Sequence, residues 1–346
     1  MKREEITKIE QVKNFEISKE RLFYSAEHHE ILNGTITDIY FVRTYEILKK
    51  EGLLDTEVTA EIFARKQGIF AGVGEVKNLL AEKNLKVWAL REGDKLDKKE
   101  VVMRITGPYG EFGLHETAIL GILASSSGWA TAANEAKEAA GGKPVFCFGA
   151  RHVHPSVAPV MERAAIIGGA DGASCILGAK LAGKEPVGTV PHAVFLIVGD
   201  TVRAARTYHE TMPKDALRLI LVDTFKDEAE EALRVAEALQ DKLDGIRLDT
   251  PSERGGVTPS LVREVRARLD MAGYENVKIF ASGGLYPEKI ILLSEAGVDA
   301  FGVGSFISSH PPIDMTMDIK EIAGKPVAKR GRIPGITPTT RLERII

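Results

Sequence analysis

At 346 residues the chain exceeds the size at which one hydrophobic core usually stops growing, so two domains are expected, one of which can be a barrel of about 250 residues. A composition of 44% hydrophobic and 27% charged residues with a formal net charge of −3 is that of a globular protein, and it excludes a dominant basic footprint for nucleic acid. Two cysteines, Cys147 and Cys175, exclude a disulfide scaffold or a four-cysteine zinc site; residues Met1–Glu5 hold no apolar signal core, and no run nears the ~18 apolar residues of a membrane span, so a soluble cytoplasmic protein is expected.

Residues 1–114 read as a small α+β unit. A helix is expected from Asp38 to Lys50, with Ile39, Val42, Ile47 and Leu48 on one side. Val58–Ala64 alternates in part, as a half-buried strand does. Val73–Glu82 reads as a helix, and Val87–Leu90 and Val101–Ile105 as strands. Gly107-Pro108-Tyr109-Gly110 is a turn signal that closes the unit.

From Leu114 short apolar runs alternate with helical stretches. Val145–Phe148 precedes a helical run from Val157 to Ile167. Leu219–Val222 precedes Glu228–Lys242, and Gly245–Leu248 precedes Pro259–Ala272. Val277–Phe280 precedes Pro287–Ala296, and Val298–Val303 follows. Strands and helices at this spacing argue for a parallel sheet with both faces covered. A closed barrel over residues 115–309 is the natural outcome, with an open doubly wound sheet as runner-up. The tail 310–346, with Lys325, Lys329, Arg330, Arg332 and Arg341, either covers the first domain or frays.

In a barrel, the chemistry sits at the carboxyl ends of the strands. Ser282-Gly283-Gly284 and Gly302-Val303-Gly304-Ser305 leave adjacent apolar strands there, and their backbone N–H groups can cradle a phosphate; ordinary turns are the alternative. Arg247 and Asp249 alternate along a strand end and face the same side. They are either a structural ion pair or a grip on an anionic sugar. Phe148-Gly149-Ala150-Arg151-His152-Val153-His154 places cationic groups at another strand end, where they suit an anionic substrate or stand solvated. A metal site at His152 and His154 has no carboxylate or cysteine at ligand spacing to support it. Gly188-Thr189-Val190-Pro191-His192 reads as a loop exposing His192 to a site, with a satisfied structural histidine as the other reading. Asp223 ends a further strand, as a site carboxylate or a helix cap.

Taken together and in order, these segments resemble the nicotinate phosphoribosyltransferase family in its shorter archaeal-type form. Thr37-Asp38-Ile39-Tyr40, Phe148–Arg151, Gly188–His192, Val222-Asp223-Thr224, Gly245–Asp249, Ala281–Leu285 and Gly302–Ser305 carry the resemblance, from Gly34 to Ser309. It implies an α/β fold: an incomplete (β/α) barrel of the type II phosphoribosyltransferase kind with an N-terminal α/β sandwich. It implies the formation of nicotinate mononucleotide and pyrophosphate from nicotinate and phosphoribosyl pyrophosphate, coupled to ATP hydrolysis. The implied assembly is a homodimer or a higher homo-oligomer with shared sites.

Residue by residue, the resemblance implies that Tyr40 reaches a neighbouring subunit's site. Arg151 would line the nicotinate or phosphate pocket, with Phe148 against the ring. Arg247 and Asp249 would hold the phosphoribosyl group, and the two glycine loops its 5-phosphate. His192 would be phosphorylated by ATP, with Asp223 also catalytic and Thr189 binding substrate. Mg²⁺ is expected with the pyrophosphate. Some archaeal relatives carry a C-terminal cysteine zinc knuckle; this chain has no cysteine after Cys175, so no structural zinc is expected. The rival activities are transfer to quinolinate or to nicotinamide. Quinolinate, with two carboxylates, calls for a denser cationic pocket than the one Arg151 anchors. A phosphosugar aldolase or isomerase would need an activated lysine, for which Lys180 and Lys278 are the nearest candidates, neither with an evident activating partner. A non-catalytic phosphosugar-binding barrel is the non-enzymatic alternative.

Overall fold

The computed structural model describes residues 5–18 and 20–346, and the chain divides into two compact units, 1–130 with 311–346, and 131–310. The division falls within the helix Glu116–Ala139, whereas the sequence reading draws it after residue 114. That helix is missed in the sequence because its small residues carry no apolar stripe. Ala130, Ala132, Ala133 and Ala136 are all buried.

The first unit is built on a six-stranded sheet. Its order is Lys325–Pro326, Met315–Ile322, Glu57–Ala64, Val101–Pro108, Lys86–Ala89 and Glu343–Arg344, and the pairings are antiparallel. Half of these strands come from the C-terminal tail, so the tail is structural. Ile62, Phe70, Leu80, Met103, Ile105 and Phe112 fill the core on one face.

The strand Glu57–Ala64 is buried on both faces, not half-buried as its alternation predicts. Its polar residues explain this. Thr59 meets Thr106 at 3.0 Å, and Glu61, with no exposed surface, accepts from Arg104 Nε at 2.9 Å and from the Thr337 backbone N–H at 3.1 Å. Arg104 in turn donates to the Thr337 carbonyl at 2.6 Å. The tail therefore lies over the polar face of the sheet, fastened by a buried ion pair. Two of the tail's basic residues take part: Lys329 and Arg332 both pair with Asp318, at 2.8 and 2.9 Å.

The second unit holds a six-stranded parallel sheet in the order Gly172–Ala173, Val145–Cys147, Ala300–Val303, Lys278–Ser282, Gly245–Leu248, Leu219–Leu221. The last of these in sequence pairs with the first, which is barrel-like. Helices cover the strands, so their apolar residues run on without alternation. Val262, Val265 and Leu269 on Pro259–Met271, and Ile290 and Leu293 on Pro287–Ala296, give the buried stripes. Pro259 follows the cap Thr258, whose hydroxyl accepts from Leu261 N–H at 3.2 Å. Gly172–Ala173 is too short to carry a pattern. Among the described residues no helix is long and apolar enough to cross a membrane.

Removing the buried Glu61 carboxylate tests the tail's attachment. Glu61→Ala leaves Arg104 uncompensated and is expected to cost about 3–5 kcal/mol in urea unfolding, with faster proteolysis near Thr337. A change below about 1 kcal/mol would show that the tail is held by other contacts.

Candidate active site

The segments that follow Val145–Cys147, Leu219–Leu221, Gly245–Leu248, Lys278–Ser282 and Ala300–Val303 leave the carboxyl ends of the parallel strands, where side chains from different strands converge, whereas Gly188–His192 follows the helix Ile176–Leu181. One cavity of about 160 Å³ is lined by Phe148, Arg151, Arg247, Asp249, Ser282, Gly283, Gly284, Gly302, Gly304 and Ser305. His152, which the sequence places in the same cluster as Arg151 but not among the substrate-binding residues, lines it too. His152 rests against Gly304, and its Nδ1 is 3.3 Å from Ser308 Oγ. The neighbouring His154 is exposed and accepts from Ser156 N–H at 3.2 Å.

Arg247 and Asp249 are an ion pair, at 3.1 Å between Nη2 and Oδ2, and both face the cavity. The sequence leaves open whether they are structural or ligand-binding. Here each is fixed by a further partner. Arg247 Nη1 donates to Thr189 Oγ1 at 2.5 Å, and Ser282 Oγ donates to Asp249 Oδ1 at 2.9 Å. Arg247 Nε is buried without a hydrogen-bond partner among the described residues. Two fixed, opposite charges on one wall suit a ligand with both hydroxyls and anionic groups.

The glycines admit this arrangement. Gly283 has φ +86°, and a Cβ there would lie 2.9 Å from Asp249 Oδ1. At Gly302 a Cβ would stand 2.5 Å from the Phe148 ring. Gly302 thus makes room for an aromatic side chain, a role that a phosphate-loop reading does not capture. Phe148 is stacked on Phe280, with centroids 6.0 Å apart and planes at 13°, and Phe146 flanks Phe280 at 5.7 Å.

His192 does not sit in a loop: it opens the short helix His192–Val198, after Pro191. Its Nε2 is 3.1 Å from Asp223 Oδ2. Asp223 is not a helix cap either, since Asp227 caps the helix Glu228–Leu239. Burial pushes the Asp223 carboxyl up, His192 opposes that rise, and the nearby Asp249 adds to it. Asp223 Oδ1 is buried without a partner among the described residues. Thr189, His192 and Asp223 thus stand near the Arg247–Asp249 pair but are not among the cavity's lining residues. Tyr40 belongs to the first unit, on Ile39–Lys50, and is 54% exposed. Cys147 is buried, Cys175 is half-buried, and both are free thiols.

With this geometry in place, comparison with known proteins is informative. The N-terminal domain model of quinolinate phosphoribosyl transferase matches residues 38–127, and its C-terminal domain model matches 129–318. Nicotinate phosphoribosyltransferase pncB2 of Mycobacterium tuberculosis is 32% identical over 66% of this chain and 50% of its own length. The chain therefore spans about half the length of such curated relatives. A probable nicotinate-nucleotide pyrophosphorylase (carboxylating) of Methanothermobacter thermautotrophicus is 26% identical over 80% of this chain and 94% of its own. The crystal structure of nicotinate-nucleotide pyrophosphorylase from Pyrococcus furiosus is 46% identical, covering 91% of this chain and 82% of that one, with a TM-score of 0.88.

These findings overturn the expectation of nicotinate as the base with coupled ATP hydrolysis. The family models and the best-covered relatives are of the quinolinate enzyme, and the nicotinate enzymes match over only part of their length. The reason is physical. Arg247, Asp249 and the glycine loops suit the phosphoribosyl donor, and nothing in them selects the base.

Gly302→Ala should displace the Phe148 ring. The expected cost is about 1–3 kcal/mol in thermal unfolding. Wild-type stability would show that Phe148 yields freely. The matches span both units of the chain: it belongs to the quinolinate phosphoribosyl transferase family.

Proposed function

We propose that the chain transfers the phosphoribosyl group of phosphoribosyl pyrophosphate to quinolinate, releasing carbon dioxide and pyrophosphate and forming nicotinate mononucleotide. The observation that carries this reading is the two-sided cavity. Arg151 and His152 stand with Phe148 at one strand end, and the Arg247–Asp249 pair with its glycine loops at the others. His152 adds a second polar group beside Arg151, as a dicarboxylate requires. The names of the Pyrococcus and Methanothermobacter relatives support the same reaction. In the same proposal the parallel sheet is the incomplete barrel of type II phosphoribosyltransferases, and the enzyme acts as a homo-oligomer in which the exposed Tyr40 serves a partner's site.

The pyridine nitrogen of quinolinate attacks C1 of the ribose. The C1–O bond breaks, and its electron pair leaves with pyrophosphate. The reacting sugar resembles an oxocarbenium ion, so the Asp249 carboxylate stabilises it and orients its hydroxyls. Arg247, held by Thr189, grips the anionic donor. Phe148 offers a flat face to the pyridine ring, and Arg151 and His152 pair with its carboxylates. The bond from C2 to its carboxyl group then breaks. Carbon dioxide leaves, and the electron pair stays on C2, beside the cationic ring nitrogen, until a solvent proton takes it up. Mg²⁺ would be held by Asp223, whose Oδ1 has no partner, together with Asp249, and would neutralise the pyrophosphate.

Purified protein should be given phosphoribosyl pyrophosphate, Mg²⁺ and either quinolinate or nicotinate, with nicotinate mononucleotide and carbon dioxide measured. Equal amounts of both products from quinolinate are expected. Product from nicotinate with none from quinolinate would overturn the proposal. Asp249→Ala should lower kcat by about 100-fold or more; full turnover in the folded variant would remove Asp249 from the mechanism.

A further inference from the structure

Glu162 has no part in the mechanism above. It lies on the helix Ala158–Ile167 and has no exposed surface. A buried carboxylate is costly unless donors surround it. Here Oε1 accepts from Ala150 N–H at 3.2 Å and from the Ser174 hydroxyl at 2.9 Å, and Oε2 accepts from Cys175 N–H at 2.5 Å. The Ser174 N–H itself donates to the Cys147 carbonyl at 3.1 Å, at the end of the strand before the Ala150 turn. Burial pushes the carboxyl up, and these donors oppose the rise. Packing is close: a Cβ on Gly178 would lie 3.1 Å from Glu162 Cβ.

Its partners belong to two different loops. Ala150 is in the turn that follows Val145–Cys147, and its next residues are Arg151 and His152. Ser174 and Cys175 follow the adjacent strand Gly172–Ala173. An apolar side chain would fill the same volume, but it would leave these N–H groups without the acceptor they have now. The carboxylate joins the two loops and fixes the peptide from which the cationic turn departs.

We infer that Glu162 is a positioning residue that sets the geometry of Arg151 and His152 toward the carboxylates of the aromatic substrate. It acts through Ala150 and touches no substrate. The inference rests on the proposed function only for the substrate that reads it out.

The test is a mutant cycle. Glu162→Gln keeps the shape but places an amide donor among N–H donors. It should raise KM for quinolinate about 10- to 100-fold, with KM for phosphoribosyl pyrophosphate and kcat within about twofold. In an Arg151→Ala background, the same change should add little. Equal effects on both substrates, a loss confined to kcat, or full additivity with Arg151→Ala would overturn the inference. Glu162→Asp keeps the charge and should fall between wild type and Glu162→Gln, so it serves if Glu162→Gln does not fold. If wild type fails to use quinolinate, the functional reading is lost, and amide exchange still decides the matter. Faster exchange in the variant, confined to Ala150–His152 and Ser174–Cys175, supports the linkage; unchanged exchange there refutes it.

Discussion

The ion pair between Arg247 and Asp249 is the constraint on which the site depends. Two residues apart on one strand end, they face the same side and hold opposite charges 3.1 Å from each other. Left alone at a surface such a pair would be worth little. Thr189 on one side and Ser282 on the other fix both members, so their orientation is set before any ligand arrives. A preorganised pair loses little entropy on binding, which is where a phosphoribosyltransferase gains most. Its reaction needs charge stabilisation and alignment more than proton transfer.

Backbone geometry serves that pair. Gly283 leaves the space that Asp249 Oδ1 occupies, and Gly302 leaves the space for Phe148. The glycines that read as phosphate loops therefore do a second job as clearances for side chains. Around them the covered parallel sheet provides rigid strand ends, and the loops after those strands present the chemistry. The cationic turn at Ala150–His152 needs its own support, and Glu162 supplies it from a neighbouring helix.

Much of this was legible in the sequence where apolar runs and turn residues agree. Val145, Ile220, Ile246, Ile279 and Phe301 each lie in strands that read as short, mainly apolar runs, because both faces of the sheet are covered. Arg247, Asp249 and the glycine pairs were visible because they end those runs. What was hidden lacks a local signal. Glu116–Ala139 is rich in small residues and shows no stripe, and Gly172–Ala173 is two residues long. His192 looked like a loop residue because Gly and Pro precede it, yet Pro191 caps a helix. His152 and Glu162 owe their places to contacts between separate loops, which spacing along the chain does not encode. The choice of base escaped for a related reason: the chain is similar to both the quinolinate and the nicotinate enzymes, so the ordered motifs do not separate them.

The central claim is that one cavity holds the phosphoribosyl group and the aromatic ring at opposite sides. A crystal structure with nicotinate mononucleotide bound tests it most directly. The account predicts the phosphate on the backbone of Gly283–Gly284 and Gly304–Ser305, the ribose hydroxyls on Asp249, and the pyridine ring against Phe148 with its carboxylate near Arg151 or His152. A nucleotide bound in the reverse direction, or away from Asp249, would contradict it.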